Sequence, residues 1–105
     1  MSRFIVAPRA AADLAEIWRY IRGRSSEETA DRVERKIREQ FALLAEAPGI
    51  GHRRADLTPA DVRFFPVYSY LIVYRQVAGR EAAPIQIAAI LHGGRELRRV
   101  LRKRL

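Results

Sequence analysis

The stretch VRFFPVYSYLIVYR, residues 62–75, decides the fold of this chain. Residues 62–67 and 70–77 are rich in aromatic and β-branched side chains, which predicts two strands. Only Tyr68 and Ser69 separate them, so the strands should form a tight antiparallel hairpin, although neither turn residue is the usual Asn or Gly.

A second stretch, PIQIAAILHGGRELRRVL at residues 84–101, follows a polar turn at residues 79–81. Residues 84–92 are apolar on both faces, which predicts an interior strand that ends at the following two glycines. The last segment predicts a short helix. Its apolar face is Leu97, Val100, Leu101 and Leu105, and its remaining positions are basic: Arg98, Arg99, Arg102, Lys103 and Arg104.

The N-terminal half predicts one short strand and two helices. Residues 3–7 alternate weakly and end at Pro8, a residue favoured in the first turn of a helix. The first helix closes at Gly23, and Ser25 with Glu28 forms a predicted capping box for the second, which ends before Pro48. The apolar stripes are Leu14, Ile17, Trp18 and Ile21 on the first helix, and Ala30, Val33, Ile37, Phe41, Leu44 and Ala45 on the second.

The predicted order is β-α-α-β-β-β-α. Because the two helices are joined by a short connection, they should form a hairpin that packs on an antiparallel-rich sheet. We therefore expect an α+β fold, with residues 1–105 forming a single domain. Residues 48–61 lack periodicity and predict a surface loop.

Composition narrows the classes of function. The net charge of +8 comes almost entirely from arginine, since the only lysines are Lys36 and Lys103. Arginine suits bidentate binding of phosphate or carboxylate, although the same bias is typical of a GC-rich genome. The chain has no cysteine and no apolar run of membrane-spanning length. We expect a cytoplasmic protein that uses no metal, no cofactor and no membrane.

Four segments carry a resemblance to a known family. They are PRAAADLAEIWRYI at 8–21, LLAEAPGIG at 43–51, DVRFFPVYSYLIVYR at 61–75 and IAAILHGGREL at 87–97. In this order they resemble the ParE branch of the RelE/ParE superfamily, the toxins of type II toxin-antitoxin systems. No single segment is specific, but together they cover nearly the whole chain.

The resemblance implies one of two activities. RelE-type toxins cut messenger RNA on the ribosome, whereas ParE-type toxins share the fold, inhibit DNA gyrase and have no confirmed catalytic residues. We expect a non-enzymatic gyrase poison more than a ribonuclease, with DNA gyrase as the target and the ribosome as the alternative. The resemblance also implies plasmid stabilisation and a cognate ParD-like antitoxin that wraps the toxin as helix and strand.

The RelE pattern is only partly present. Arg63 and Arg95 match two of its basic positions, whereas Phe65 and Leu71 stand where that pattern has basic residues. RNA cleavage through the 2′-hydroxyl also needs a proton acceptor and a proton donor, roles that a permanently charged arginine fills poorly. If the chain is a ribonuclease, the candidate catalytic residues are Arg63, Arg95, His92, Tyr70 and Tyr74.

Two contact surfaces are expected. Target binding is assigned to basic residues: Arg63, Arg95, Arg98, Arg99 and Arg102. An acidic amphipathic segment of the antitoxin should complement the basic toxin. It should bind an apolar groove beside the helical hairpin, around Trp18, Ile21 and the exposed faces of Val33 and Ile37.

Other interpretations stay open. Arg63 could equally be an outward-facing residue of an alternating strand. The ring of His92 could cap main-chain carbonyl groups at the end of its strand. Trp18 could be a core residue of the first helix. A plain nucleic-acid-binding module is a further alternative, in which sheet residues hold phosphates and stack on bases. Its candidate residues are Tyr68, Tyr70, Tyr74, Arg63 and Arg75, although the apolar last strand favours a covered sheet.

Overall fold

The computed structural model describes residues 4–77, 85–94 and 96–105. Its elements are β1 (Phe4–Val6), α1 (Pro8–Arg24), α2 (Glu27–Glu46), β2 (Arg63–Val67), β3 (Tyr70–Gln76), β4 (Ile85–His92) and α3 (Leu97–Arg104). The predicted element order and the α+β class are confirmed. Arg95, the predicted turn at 79–81 and the first residues of two predicted strands, Arg3 and Pro84, lie outside the described residues.

The four strands form one mixed sheet in the order β1-β4-β3-β2. β1 runs parallel to β4, while β4 with β3 and β3 with β2 are antiparallel. The β2–β3 hairpin turns at Tyr68 and Ser69, as predicted. Tyr68 has a φ of 54°, a left-handed conformation that residues other than glycine rarely adopt.

A β-bulge interrupts the pairing of β3 with β4. Tyr74 pairs with Ile87 and Val73 pairs with Ala89, so Ala88 is an extra residue in β4. The bulge reverses the alternation of β4. Ile87 and Ile90 therefore face the same side of the sheet, although an uninterrupted strand would place them on opposite sides.

The helix boundaries differ slightly from the prediction. α1 begins at Pro8 and runs one residue past Gly23, to Arg24. The N-cap of α2 is Ser26, whose side chain accepts a hydrogen bond from the Thr29 N–H at 3.1 Å. The predicted capping box of Ser25 with Glu28 is therefore wrong by one residue, because the second of two adjacent serines has the extended backbone that a cap requires.

Both faces of the sheet are covered, and the two sides differ in what covers them. α1 and α2 pack on one face and form the first core, whose largest fully buried side chains include Phe41, Leu14 and Tyr74. α3 and the loop before β2 cover the other face. They form the second core: Val62, Phe64, Val73, Ala89, Leu91, Leu97 and Leu101. Burial of each large apolar side chain stabilises the fold by roughly 1.5–3 kcal/mol.

Candidate functional site

A groove of about 640 Å³ lies between α1 and α3, beside the last residues of β4. We call it the α1–α3 groove. Glu16, Ile17 and Tyr20 line it from α1, while Leu97 and Val100 line it from α3. Glu96 and Arg104 also line it on the α3 side, so both walls of the groove combine apolar and charged side chains.

An ion pair between Asp13 and Arg104 lines this groove. Nη1 and Nη2 of Arg104 donate to the carboxylate of Asp13, at 2.9 and 2.8 Å, and the side chains of Arg104 and Asp13 are only 9% and 16% exposed. The same carboxylate accepts the Ile90 N–H at 3.0 Å. The pair therefore joins α1, β4 and α3. Our expectation that Arg104 belongs to the solvent-facing basic side of the last helix is wrong.

The remaining cations of α3 do face solvent. Arg98, Arg99, Arg102 and Lys103 are exposed, and we call them the α3 cationic face. Arg99 donates to Glu96 at 2.7 Å, in a surface pair with both side chains more than 60% exposed. Such a pair contributes little to stability, and all four cations of the face remain accessible to solvent.

Arg63 lies away from that face and holds a loop. Its Nη1 donates to the Gly51 carbonyl at 2.9 Å. Tyr74, opposite Arg63 in the hairpin, is fully buried, and its hydroxyl accepts the Gly51 N–H and donates to the Pro48 carbonyl. Burial raises the pKa of Tyr74, although the hydrogen bond from Gly51 and the charge of Arg63 oppose the shift. Because this hydroxyl is buried and bonded, Tyr74 is wrong as a candidate catalytic residue.

Tyr70 and His92 do lie together. Their rings meet edge to face, with centroids 5.5 Å apart. Burial raises the pKa of Tyr70, so the phenol keeps its proton near neutral pH and does not serve as a proton acceptor. The register separates this pair from Arg63 by four residues along β3, roughly 13 Å. The predicted nuclease residues are thus divided between two ends of the sheet, and Arg95 lies outside the described residues.

Both the sequence and the fold of this chain are similar to those of known proteins. A family model described as the ParE toxin of the type II toxin-antitoxin system, parDE, matches residues 4–97. The chain belongs to the ParE toxin family. A solved structure described as the chromosomal ParDE TA system from P. aeruginosa matches with a TM-score of 0.73 and 27% identity, over 90% of this chain and 98% of that one. No curated protein matches the sequence significantly.

The four residues proposed for antitoxin binding differ in accessibility in this ParE-type toxin. Trp18 and Ile21 are half-buried, and the Trp18 Nε1–H donates to Asp31 at 2.8 Å, which ties α1 to α2. Val33 is partly buried against the first core. Ile37 is fully buried beneath the helices. The expected exposed face of Ile37 is therefore wrong, because its side chain points into the core.

The toxin's sheet does not offer an open face to nucleic acid. Both faces are packed in the part of the chain that the structure describes, and of the proposed stacking residues only Tyr68 is strongly exposed, at 60%. Within residues 4–77, 85–94 and 96–105, no three His, Asp or Glu side chains lie close enough to hold a metal ion. No described helix is long and apolar enough to cross a membrane.

Sequence reasoning about this toxin missed the α1–α3 groove. Glu16 and Tyr20 are four residues apart and thus neighbours on one face of α1, a spacing readable from the sequence. The burial of Arg104 could also have been predicted from helical spacing. Arg104 follows Leu97 by seven positions and Leu101 by three, which places it on the same face of the helix as these two residues. It therefore continues the apolar stripe of α3. No pattern in the sequence identified Asp13 as its partner, 91 residues away.

Proposed function

We propose that this ParE-type toxin inhibits DNA gyrase without catalysis and that the α3 cationic face makes the contact. Membership of the family supports the target, and the observation that carries the choice against RNA cleavage is the separation of Arg63 from Tyr70 and His92. A ribonuclease needs cations, acid and base around a single phosphate. A gyrase inhibitor needs only a contact surface. The proposed target places the site of action in the cytoplasm.

The α3 cationic face is suited to that contact. Arg98 and Arg102 are one helical turn apart, so their side chains project in the same direction from α3. The Asp13–Arg104 pair and the buried Leu97 and Leu101 fix the helix on the body of the protein. The cations are thus held in a defined arrangement, which favours recognition of acidic protein or DNA phosphate over diffuse attraction.

Short induction in bacteria tests the target. We expect DNA breaks and filamentation within minutes, while messenger RNA stays intact and translation continues at first. Cleavage of messages at codon spacing with arrested translation would contradict the proposal and favour the RelE-type ribonuclease. In that case Arg63, His92 and Arg95 become the residues to substitute.

A charge-matched pair of variants tests the surface. The double variant R98Q/R102Q should reduce inhibition of purified gyrase at least tenfold, since a hydrogen bond to a charged group contributes on the order of 1.5–3 kcal/mol. R35Q/K36Q removes the same charge from exposed positions of α2 and should inhibit like the parent protein. Equal losses in both variants would mean that net charge, and not α3, determines inhibition.

We propose further that a cognate antitoxin neutralises this toxin by covering the helical hairpin around Trp18, Ile21 and Val33. The support is the ParDE assembly of the similar P. aeruginosa structure and the partial exposure of Trp18 and Ile21. Trp18→Ala should lower antitoxin affinity at least tenfold, as truncation of a buried interface tryptophan does. Unchanged affinity in a variant with an intact circular dichroism spectrum would place the contact elsewhere.

A further inference from the structure

Tyr68 occupies an unfavourable backbone position at the tip of the β2–β3 hairpin. Its φ of 54° lies in the left-handed region. A two-residue hairpin turn usually has glycine or asparagine at such a position, because a larger side chain crowds the backbone there. Tyrosine therefore strains the turn, whereas glycine would relieve the strain without altering the path of the chain. Strained positions of this kind are enriched at functional sites.

The ring of Tyr68 does not compensate for this strain through contacts with the described residues. The side chain is 60% exposed and belongs to neither core. Tyr20, the other strongly exposed aromatic residue of the described segments, lines the α1–α3 groove and has the guanidinium of Arg24 over its ring. Tyr68 has no aromatic or cationic partner of this kind in the part of the chain that the structure describes. The ring is therefore available to a partner molecule.

The hairpin tip is fixed in position relative to α3. The Gly93 N–H donates to the Ser69 carbonyl at 2.9 Å. The Leu97 N–H donates to the Gly94 carbonyl at 3.3 Å, so the Cα atoms of Tyr68 and Leu97 are no more than about 22 Å apart. An ordinary protein interface buries about 800 Å² on each partner, a patch roughly 30 Å across. One partner surface can thus cover Tyr68 together with the first turn of α3.

The chemistry of this end of the protein favours a protein partner over nucleic acid. Arg98, in the first turn of α3, is exposed and cationic, and Tyr68 supplies an exposed aromatic ring. Tyrosine and arginine are enriched among the residues that dominate binding energy at protein interfaces. A single strand of nucleic acid is usually held by several aromatic rings in series, whereas Tyr68 stands alone among the described residues of the hairpin tip. The partner surface should offer a pocket for the ring and carboxylates for the arginine.

We propose that Tyr68 is a contact residue for the toxin's target, and that its ring enters an apolar pocket bordered by carboxylates on a target protein. The strain at this position is then a loss of stability that accompanies a binding function, as is common at functional sites. That the target protein is gyrase rests on the proposed function. The role of Tyr68 does not, because arrest of growth reports inhibition of whichever target the toxin has.

Tyr68→Gly separates binding from folding, since it removes the ring and the strain together. The variant should raise the urea midpoint of unfolding by roughly 0.3 M or more. It should inhibit purified gyrase at least tenfold less than the parent toxin, and the expression level needed to arrest bacterial growth should rise by a similar factor. Weaker inhibition by a more stable protein cannot come from unfolding. A variant as toxic as the parent, or one with a lower urea midpoint, would overturn the inference.

Two further variants identify the ring as the contact. Tyr68→Phe keeps the ring and should retain inhibition within about threefold, the effect of one hydroxyl group. Ser69→Ala changes the other exposed residue of the same turn and should inhibit like the parent toxin. Equal losses in Tyr68→Phe and Tyr68→Gly would assign the contact to the hydroxyl and contradict the apolar pocket. An equal loss in Ser69→Ala would show that the turn, and not the ring, determines inhibition.

Binding to DNA alone distinguishes the two classes of partner. Fluorescence anisotropy with a labelled duplex of about 20 base pairs should give the same salt-dependent affinity for the parent toxin and for Tyr68→Gly. A tenfold loss on this duplex would mean that the ring contacts DNA, which contradicts the protein pocket. If the parent toxin arrests growth but does not inhibit gyrase, the proposed target is wrong, and the comparison of growth still decides whether Tyr68 contacts the target.

Discussion

Arg63 and Tyr74 lie opposite each other across the β2–β3 hairpin, and both bind Gly51. Arg63 donates to the Gly51 carbonyl at 2.9 Å, and the Tyr74 hydroxyl accepts the Gly51 N–H at 2.9 Å. Next to it, His52 bridges to Phe64 through two main-chain hydrogen bonds. The start of the 48–61 loop is therefore fixed to the sheet, although its sequence predicts only an irregular surface segment.

Gly51→Ala should destabilise the protein by about 1–3 kcal/mol, the usual cost of overpacking. A methyl group at this position would lie 2.7 Å from Cε1 of Tyr74 and closer still to its hydroxyl. Tyr74 is fully buried and cannot move aside. Urea denaturation measures the change. Gly49→Ala is the control, because nothing lies within 4 Å of the added methyl group, and equal effects of the two would contradict the packing explanation.

Tyr74→Phe should cost about 1–3 kcal/mol at pH 7, because the Gly51 N–H and the Pro48 carbonyl both lose their partner. The control is Tyr68→Phe, which removes an equivalent hydroxyl from a side chain that is 60% exposed. That change should alter the free energy of unfolding by less than about 0.5 kcal/mol. A similar loss in both variants would show that the buried hydroxyl is not specifically required.

The stability should fall above about pH 10, and Tyr74 should contribute to the fall. Burial raises the pKa of Tyr74 in the folded state above its unfolded value. The folded state therefore holds this proton more tightly than the unfolded state does. The contribution of Tyr74 to the free energy of unfolding is complete below its unfolded pKa and is lost as the pH rises through its folded pKa. Thermal denaturation between pH 8 and about 11 should show a shallower decline for Tyr74→Phe than for the parent protein. An identical decline in the two proteins would show that Tyr74 does not contribute to the loss of stability at high pH.

Asp13→Asn should destabilise the protein by about 3–5 kcal/mol, because it leaves the almost buried guanidinium of Arg104 without its counter-charge. Arg99→Gln breaks an ion pair of similar length on the surface and should cost less than about 1 kcal/mol. Replacement of both Asp13 and Arg104 by leucine should cost less than Asp13→Asn, since no unpaired charge then remains. A double variant that is as unstable as the single one would contradict this explanation.

Ser26→Ala should cost about 1 kcal/mol of stability, the usual value for loss of an N-cap. Ser26 accepts the Thr29 N–H, whereas Ser25 bonds only to the Thr29 hydroxyl at 3.2 Å. Ser25→Ala is therefore the matched control and should be nearly neutral. A larger effect at Ser25, measured by chemical denaturation, would restore the capping box that the sequence predicted.

Periodicity predicted the elements of this fold well, because each apolar stripe is long enough to specify its own secondary structure. The stripe of α2, from Ala30 to Leu44, and the hairpin turn at Tyr68 and Ser69 are both confirmed. The first and last residues of a helix are harder to predict from sequence, as the adjacent Ser25 and Ser26 show. Only the backbone conformation decides which of two equivalent serines becomes the cap.

The candidate site was harder to predict, because it depends on contacts between distant residues. Tyr70 and Tyr74 lie four residues apart on one face of β3, so the sequence gives no reason to distinguish them. In the structure, however, the hydroxyl of Tyr74 is buried and hydrogen-bonded to two residues of the 48–61 loop. Arg104 lies on the apolar stripe of α3 and is buried because Asp13 lies opposite it in space. No local sequence pattern identifies the partners of Tyr74 or of Arg104, because each residue is at least 23 positions from its partner in the sequence.

The two cores of this protein imply two classes of amide hydrogen exchange. The first core joins two helices of 17 and 20 residues to the sheet, whereas the second is closed by the eight-residue α3 and an irregular loop. Detachment of α3 would leave the first core intact, so its amides should exchange through a local opening. Amides of α2 and β3 should exchange only when the whole molecule unfolds. The α3 cationic face, which the Asp13–Arg104 pair holds in place in the closed state, should therefore open before the first core unfolds.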